Sequence, residues 1–336
     1  NLPGDEFGNS VALNGNYLIV GAPGQTNLGP HTGAAWIYQR VSGTWTFQGQ
    51  FFGNNARSNR YFGASVAING AFAAVGAPMG RETDSPVVRG EVHVFRRAPL
   101  WELLIQLDSQ YGYGGDYFGA SLAMAPDRIV AGMPGSLPVN ADDLKADRRG
   151  VCVFARQGTL WIEKPRIVPD QVRALEMFGA SVAFDGSLVT VGAPHDPEFY
   201  TEDTGATYVF TLAADAGSSS QLARLRAPES DPSDAFGLSV AQAGKLVAVA
   251  APLQPNTNAL SGAVHLFDLT APILDIHPAQ NGVLLKWHSF YSDFTLQASP
   301  ALGPDANWQS VQPPPVGTSY FQTPTNAARF YRLAKP

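Results

Sequence analysis

The sequence lacks several features on which common kinds of site and fold depend. It contains one cysteine, Cys152, so an intramolecular disulfide is impossible and a cysteine-based zinc site is disfavoured. No run of about 18 apolar residues occurs, so no membrane-inserted helix is predicted. Charged residues make up only 15% of the chain and the net charge is −6. A basic surface that could neutralise phosphates is therefore missing, and nucleic acid is not an expected partner.

Catalytic and cofactor motifs are also missing. The chain has no nucleophilic serine motif, no P-loop, no His-Glu-x-x-His pattern and no paired-carboxylate signature. We therefore expect a protein without catalytic residues or cofactors. The sequence starts at Asn1 rather than at a methionine, which favours a processed or trimmed product whose removed leader directed export.

Glycine and proline are abundant, with 34 and 26 residues, and this predicts many turns and short strands. A phrase recurs five times at spacings of 55 to 60 residues: FGNSVALNGNYLIVGAP, FGASVAINGAFAAVGAP, FGASLAMAPDRIVAGMP, FGASVAFDGSLVTVGAP and FGLSVAQAGKLVAVAAP. The phrases begin at Phe7, Phe62, Phe118, Phe178 and Phe236. A third apolar run follows each phrase, and a fourth follows in most units.

Each phrase predicts a hairpin of two strands. Asn14-Gly15, Asn69-Gly70 and Asp185-Gly186 lie between the apolar runs, and such pairs favour a tight type I′ turn. Four antiparallel strands per unit, repeated along the chain, are typical of a β-propeller. We predict an all-β fold with a propeller over residues 1–270, in repeats of about 1–55, 56–111, 112–171, 172–229 and 230–270.

The five phrases resemble the FG-GAP repeat family, which includes the propellers of integrin α-subunits and many secreted bacterial proteins. The resemblance implies a propeller that works outside the cell. Two departures stand out. The best-known members have seven repeats where this chain shows five, and the acidic calcium loop of integrin-type repeats is replaced by a turn of two or three residues. Calcium takes six to eight oxygen ligands, so the calcium function does not carry over to these hairpins.

Residues 271–336 show alternating apolar residues and turn signals that predict five or six strands. We interpret them as a small β-sandwich, weakly similar to fibronectin type III-like modules. Residues 271–277 fit either this domain or the fourth strand of the fifth propeller unit.

The densest cluster of possible metal ligands follows the fourth GAP segment. It contains His195, Asp196, Glu198, Glu202 and Asp203. Of these, Asp196, Glu202 and Asp203 are weak metal candidates, and solvated loop charge is the favoured interpretation.

Loops after each GAP segment should lie on one rim of a repeat fold, and such rims often bind partners. The longest of these loops carries Asp142, Asp143, Lys145 and Arg148. These charges and the aromatic pair Phe199 and Tyr200 are the candidate partner-binding residues. A solvated surface is the alternative.

Two recurring positions receive a structural interpretation. The third strand carries Trp36, His93, Cys152, Tyr208 and His265 at one place, for which packing is favoured over metal binding or catalysis. Asp5, Asp116 and Asp234 stand two residues before the repeat phenylalanine, where a turn-stabilising hydrogen bond is favoured.

The sequence favours a non-enzymatic extracellular or cell-surface protein for adhesion or assembly, with copies of itself as expected partners. An open blade edge would allow assembly into a filament or ring. The alternative is a recognition domain that binds a glycan or a protein through the rim loops. A hydrolase is a third and weaker hypothesis.

Overall fold

The computed structural model of the chain describes residues 2–54, 58–80, 88–111, 115–135, 150–170, 177–198, 202–227, 234–256, 259–270, 272, 274–287, 294–303, 306–315, 319–323 and 329–334. Regular structure in this part of the chain consists of strands alone. The chain divides into two compact units, one formed by residues 1–220 and 224–266 and the other by residues 221–223 and 267–336.

Successive antiparallel sheets, which we call blades one to five, make up the first unit, except that residues 221–223 of blade four and 267–268 of blade five are grouped with the second unit. Blade one contains β1 (Ser10–Asn14), β2 (Tyr17–Ala22), β3 (Ala34–Val41) and β4 (Thr44–Phe51). Blade two contains β5 (Ser65–Asn69), β6 (Phe72–Ala77), β7 (Glu91–Arg97) and β8 (Trp101–Leu107). In both blades the spatial order of the strands follows the chain.

The remaining blades repeat this plan. Blade three contains β9 (Leu122–Ala125), β10 (Arg128–Met133), β11 (Gly150–Gln157) and β12 (Leu160–Ile167). Blade four contains β13 (Ser181–Phe184), β14 (Leu188–Ala193), β17 (Ala206–Leu212) and β18 (Ser219–Leu225), with a short hairpin of β15 (Pro197–Glu198) and β16 (Glu202–Asp203) between its second and third strands. Blade five contains β19 (Ser239–Ala243), β20 (Leu246–Ala251) and β23 (Ala263–Asp268), with a hairpin of β21 (Pro255–Asn256) and β22 (Ala259–Leu260).

The blade hairpins are tight, but their turns differ from the predicted type. In blade one, Asn14 pairs with Tyr17, so the two central residues of the turn are Gly15 and Asn16. Only the glycine has a positive φ, at 58°. The glycine therefore occupies the first central position, as in a type II′ turn, and the predicted type I′ geometry with Asn14-Gly15 at the centre was wrong.

Apolar clusters fill the spaces between the first four blades. One cluster joins blades one and two, another joins blades two and three, and a third joins blades three and four. Inner strands β1, β5, β9, β13 and β19 lie next to one another in that order. The core of the first unit is therefore a series of blade interfaces, and blades two to four each have one face toward the preceding blade and one toward the following blade.

The second unit contains two three-stranded antiparallel sheets. One is formed by β24 (Asp275–Ala279), β25 (Gly282–Lys286) and β28 (Ser319–Gln322), and the other by β26 (Thr295–Ser299), β27 (Gln309–Ser310) and β29 (Phe330–Ala334). The rings of Tyr320 and Tyr331, one from each sheet, lie 6.4 Å apart. Because β24 pairs with β25, residues 275–277 belong to this unit rather than to blade five. The similarity to fibronectin type III modules stays a prediction.

Candidate functional site

The repeated phenylalanine-glycine pair is a backbone joint between blades. In blade two, Tyr61 is left-handed with a φ of 55°, and Gly63 has a φ of 92°. The N–H of Gly63 donates to the carbonyl of Gly76 in the same blade at 2.9 Å. Its carbonyl accepts a hydrogen bond from the Ser10 hydroxyl of blade one at 2.8 Å. One residue thus ties its own blade to the preceding blade.

This joint recurs at each of the other internal interfaces. The hydroxyl of Ser65 donates to the carbonyl of Gly119 at 2.6 Å. Ser121 and Ser181 make the same bond to the next blade, each at 2.8 Å. The serine and the glycine of the repeated phrase are therefore interface residues.

The glycine of the GAP segment permits the close approach of consecutive blades. Cβ atoms placed on Gly21, Gly76, Gly132 and Gly192 would lie 2.0, 2.1, 2.0 and 1.9 Å from the carbonyl oxygen of the next phenylalanine-glycine joint. Real Cβ atoms essentially never lie within 3.0 Å of another heavy atom in this way. Glycine at this place is therefore a steric requirement of the interface.

A second glycine makes a similar contact before the third strand. The backbone of Gly33 bridges to Phe62, and a Cβ at Gly33 would lie 2.1 Å from the Phe62 carbonyl oxygen. Gly90 and Gly205 make the same bridge to Phe118 and Phe236.

Blade one exposes the face that its successors bury. Val66, Ile68 and Phe62 lie on the matching face of blade two and are buried against blade one. Their counterparts Val11, Leu13 and Phe7 are 63%, 62% and 40% exposed. We call the surface of Phe7, Val11, Leu13, Trp36 and Phe47 the blade-one face; the rings of Phe7 and Trp36 meet edge to face at 5.3 Å within it.

Blade five exposes the opposite face. Val264 and Leu266 are each 68% exposed, whereas the matching Val92 and Val94 of blade two are fully buried against blade three. We call the surface of Ser239, Leu246, Ala250, Val264 and Leu266 the blade-five face. Neither this face nor the blade-one face is covered within the described part of the chain, so the series of blades ends in two apolar surfaces.

Of the weak metal candidates, Asp196 has a structural role. Its carboxylate is fully buried and accepts hydrogen bonds from the Tyr208 hydroxyl and from two nitrogens of the Arg224 guanidinium. Glu202 and Asp203 lie in β16, and their side chains are outside the described residues. Within the described ranges no group of three or more His, Cys, Asp or Glu side chains is placed to hold a metal ion.

The predicted partner-binding residues fall outside the described residues. These are Asp142, Asp143, Lys145 and Arg148 in the longest loop, and Phe199 and Tyr200 in the loop of blade four. Their role in binding stays a prediction.

The recurring third-strand position lies beside the repeat phenylalanine. Ring centroids of His93 and Phe62 are 5.2 Å apart, and those of Tyr208 and Phe178 are 5.4 Å apart. His93 is fully buried and its Nε2 accepts the Asn54 N–H at 3.2 Å. Burial and the nearby Arg60 guanidinium lower the pKa of His93 to about 4. The imidazole is therefore neutral and packed.

Cys152 occupies the same position in blade three. It is fully buried, and its Sγ lies 3.2 Å from the Ser109 hydroxyl, which donates to Glu163 at 2.7 Å. Burial raises the pKa of the Cys152 thiol far above its usual range. A protonated, enclosed thiol is a poor nucleophile.

The aspartates that precede the repeat phenylalanine are buried. Asp5 accepts the Leu2 N–H at 2.6 Å, which is the kind of turn-stabilising bond that the sequence predicts. Asp116 and Asp234 are buried at the same place. Blade two substitutes Arg60, which donates to Glu91 at 2.6 Å.

Among the described residues no helix is long and apolar enough to cross a membrane.

The successive four-stranded antiparallel sheets define a β-propeller. The chain belongs to the FG-GAP repeat family: the family model matches residues 2–38, 45–95, 161–210 and 219–267, which together make up more than half of the chain. Each match after the first begins at the outer strand of one blade and ends at the third strand of the next. FG-GAP repeats occur in extracellular proteins, and propellers of this family are generally non-catalytic.

Two solved structures are similar at low identity. Sqt1 from Chaetomium thermophilum is 15% identical, with a TM-score of 0.36 over 61% of this chain, which spans only 43% of the Sqt1 chain. A structural genomics target from Lactobacillus plantarum is 14% identical, with a TM-score of 0.45 over 96% of this chain and 87% of its own. The sequence matches none of the curated proteins.

Sequence reasoning missed the two end faces, although one signal was present. The fifth phrase ends in VAAP, where the first, second and fourth end in VGAP and the third in AGMP. The alanine stands at position 250, where the other blades have the sterically required glycine.

Proposed function

We propose that the protein is a non-enzymatic extracellular or cell-surface protein that acts in adhesion or assembly by binding other proteins, copies of itself among them. The observation that carries this proposal is the pair of exposed apolar faces at the ends of the blade series. An apolar surface of several neighbouring side chains on a soluble domain is typical of a protein interface. Membership of the FG-GAP family supports the extracellular setting.

A second feature supports assembly of copies. Blade five has three strands in the described part of the chain, while each of the other blades has four. A sheet of this kind accepts a strand from another molecule through backbone hydrogen bonds. If the added strand is a strand other than β23, the contact is head-to-tail and builds a ring or a filament.

Proline substitutions in β23 test the assembly of copies. Successive N–H groups of a strand point to opposite edges, so Val264→Pro and His265→Pro each remove a donor from a different edge. The variant that loses the N–H pointing away from β20 should keep its fold and lose assembly. The variant that loses the N–H pointing toward β20 should break the hydrogen-bond ladder between β20 and β23. Sedimentation velocity of the wild-type chain should show species larger than one chain. A wild-type protein that stays a single chain at every concentration would overturn assembly of copies.

Binding to other proteins or to cells is tested on the end faces themselves. Leu266→Asp places a charge on a side chain that is already exposed, so the fold should be retained. The matched control is Leu160→Asp, which changes an exposed leucine of β12 that lies on neither end face. Loss of adhesion with the first variant and not with the second supports the proposal, and equal behaviour of the two contradicts it.

A further inference from the structure

The blade-one face is one half of an interface that the chain builds four times. In each internal interface, the downstream blade contributes a valine or leucine of its first strand together with the phenylalanine-glycine joint. The upstream blade contributes a serine and the glycine of the GAP segment, and in three of the four interfaces also a glycine that bridges to the phenylalanine. Blade one carries the whole downstream half, with Phe7, Gly8 and Val11 in the matching places. Gly8 has a φ of 94°, in line with its counterparts, but a Cβ there would have nothing within 4 Å.

Blade five carries the upstream half of such an interface, but one of its residues differs from those of the internal interfaces. Blade five keeps Ser239 in place of Ser10 and Gly262 in place of Gly33. Gly262 has a φ of 68°, comparable with 75° at Gly33. At the position of Gly21, however, blade five carries Ala250.

Ala250 changes which partner fits. In the internal interfaces the incoming carbonyl oxygen lies within about 2 Å of the place where a Cβ would stand. The Ala250 methyl group occupies that place, so an incoming Gly8 carbonyl would have to withdraw by about 1 Å to reach a tolerable contact. Such a shift separates the two backbones and breaks the serine bond to the carbonyl. Blade five of a second copy is therefore a poor fit for the blade-one face.

We propose that the blade-one face binds an FG-GAP blade that has glycine at the places of Gly21 and Gly33, and that Ala250 prevents blade five of a second copy from acting as that blade. The partner is identified by continuity with the internal interfaces, which use the same half-site. This inference rests on the proposed function only in treating the blade-one face as a protein-binding surface. The edge of β23 is not involved.

The test uses blade five of a second copy of this chain in place of the partner blade. Ala250→Gly restores the missing glycine, and the other four blades fold with glycine at this place, so the variant should fold. Sedimentation velocity compares it with the wild-type chain at concentrations up to about 1 mM, where weak association is detectable. Adding Val11→Lys to Ala250→Gly blocks the blade-one face through an exposed side chain. Adding Leu160→Lys is the matched control, since Leu160 is equally exposed in β12.

We expect Ala250→Gly to form concentration-dependent oligomers beyond any seen for the wild-type chain. Val11→Lys should abolish this extra association, and Leu160→Lys should leave it intact. The inference is overturned if Ala250→Gly sediments like the wild-type chain, or if Val11→Lys reduces association of the wild-type chain itself. Neither result depends on backbone hydrogen bonds at the edge of β23, so the loss of such bonds in the proline variants reports separately on assembly of copies.

Discussion

Gly76→Ala is the substitution that tests the blade interface most sharply. The Cβ would stand 2.1 Å from the Gly119 carbonyl oxygen and 2.3 Å from the Ser65 hydroxyl oxygen. The first atom is backbone in the next blade, so relief requires blades two and three to separate locally. The φ of Gly76 lies outside the left-handed region, which means that alanine adds no backbone strain of its own.

The expected cost follows from three contributions. Overpacking of a close-packed interface costs about 1–3 kcal/mol. Loss of the 2.6 Å bond from Ser65 to Gly119 costs about 0.5–1.5 kcal/mol. The smaller conformational entropy of alanine in the unfolded chain offsets about 0.5–1 kcal/mol. We expect a net loss of about 2 kcal/mol in the free energy of unfolding.

Urea unfolding followed by tryptophan fluorescence and circular dichroism measures this loss, provided that the two probes give coincident transitions. Ala250→Gly is the matched control, because it makes the reverse change at a position without a following blade. It should change the free energy of unfolding by no more than about 1 kcal/mol. The reasoning is refuted if Gly76→Ala is as stable as the wild-type chain.

Three further predictions concern single side chains. Phe62→Ala should lower the free energy of unfolding by about 3–5 kcal/mol in thermal or urea unfolding, because Phe62 is fully buried. Phe7→Ala, at the exposed counterpart, should lower it by less than about 1 kcal/mol. Equal losses for the two variants would contradict the account of the end faces. The pKa of His93 is about 4 in the folded chain and 6.5 in the unfolded chain, so the unfolded state binds more protons between these two pH values. The contribution of the neutral His93 to the free energy of unfolding is therefore complete above pH 6.5. It is lost as the pH falls toward 4, by as much as about 3 kcal/mol. His93→Gln should lack this pH dependence in the same unfolding assay, and an unchanged slope would count against a neutral buried imidazole. Cys152 should react with a thiol reagent only after unfolding, since it is buried and its pKa is raised, so rapid labelling of the native chain would disprove its enclosure.

Much of the fold could be predicted because the repeated phrase encodes local structure. The apolar runs, the turn glycines and the constant spacing together specify four strands per unit, and the observed strands follow those runs. The turn type was predicted wrongly because the Asn14-Gly15 pair does not show which two residues form the centre of the turn. That choice depends on the pairing register of Asn14 with Tyr17.

The end faces could not be predicted from the phrase because the phrase is the same at the ends and in the middle. Val11 and Val66 have the same sequence context, and only the presence of a preceding blade makes one exposed and the other buried. Ala250 was visible in the sequence, but its meaning depends on a close backbone approach between residues more than 40 positions apart, in which a Cβ would lie about 2 Å from a carbonyl oxygen. Similarly, the ion pair of Asp196 with Arg224 depends on how β18 lies beside β17.

The central claim is that the two ends of the blade series bind proteins and that the repeated phrase only builds the interfaces between blades. Negative-stain electron microscopy of the purified wild-type chain beside Ala250→Gly tests this claim most directly. We predict rings or filaments for the wild-type chain, and for Ala250→Gly additional end-to-end rows that disappear when Val11→Lys is added. Single, separate particles in every sample would contradict it.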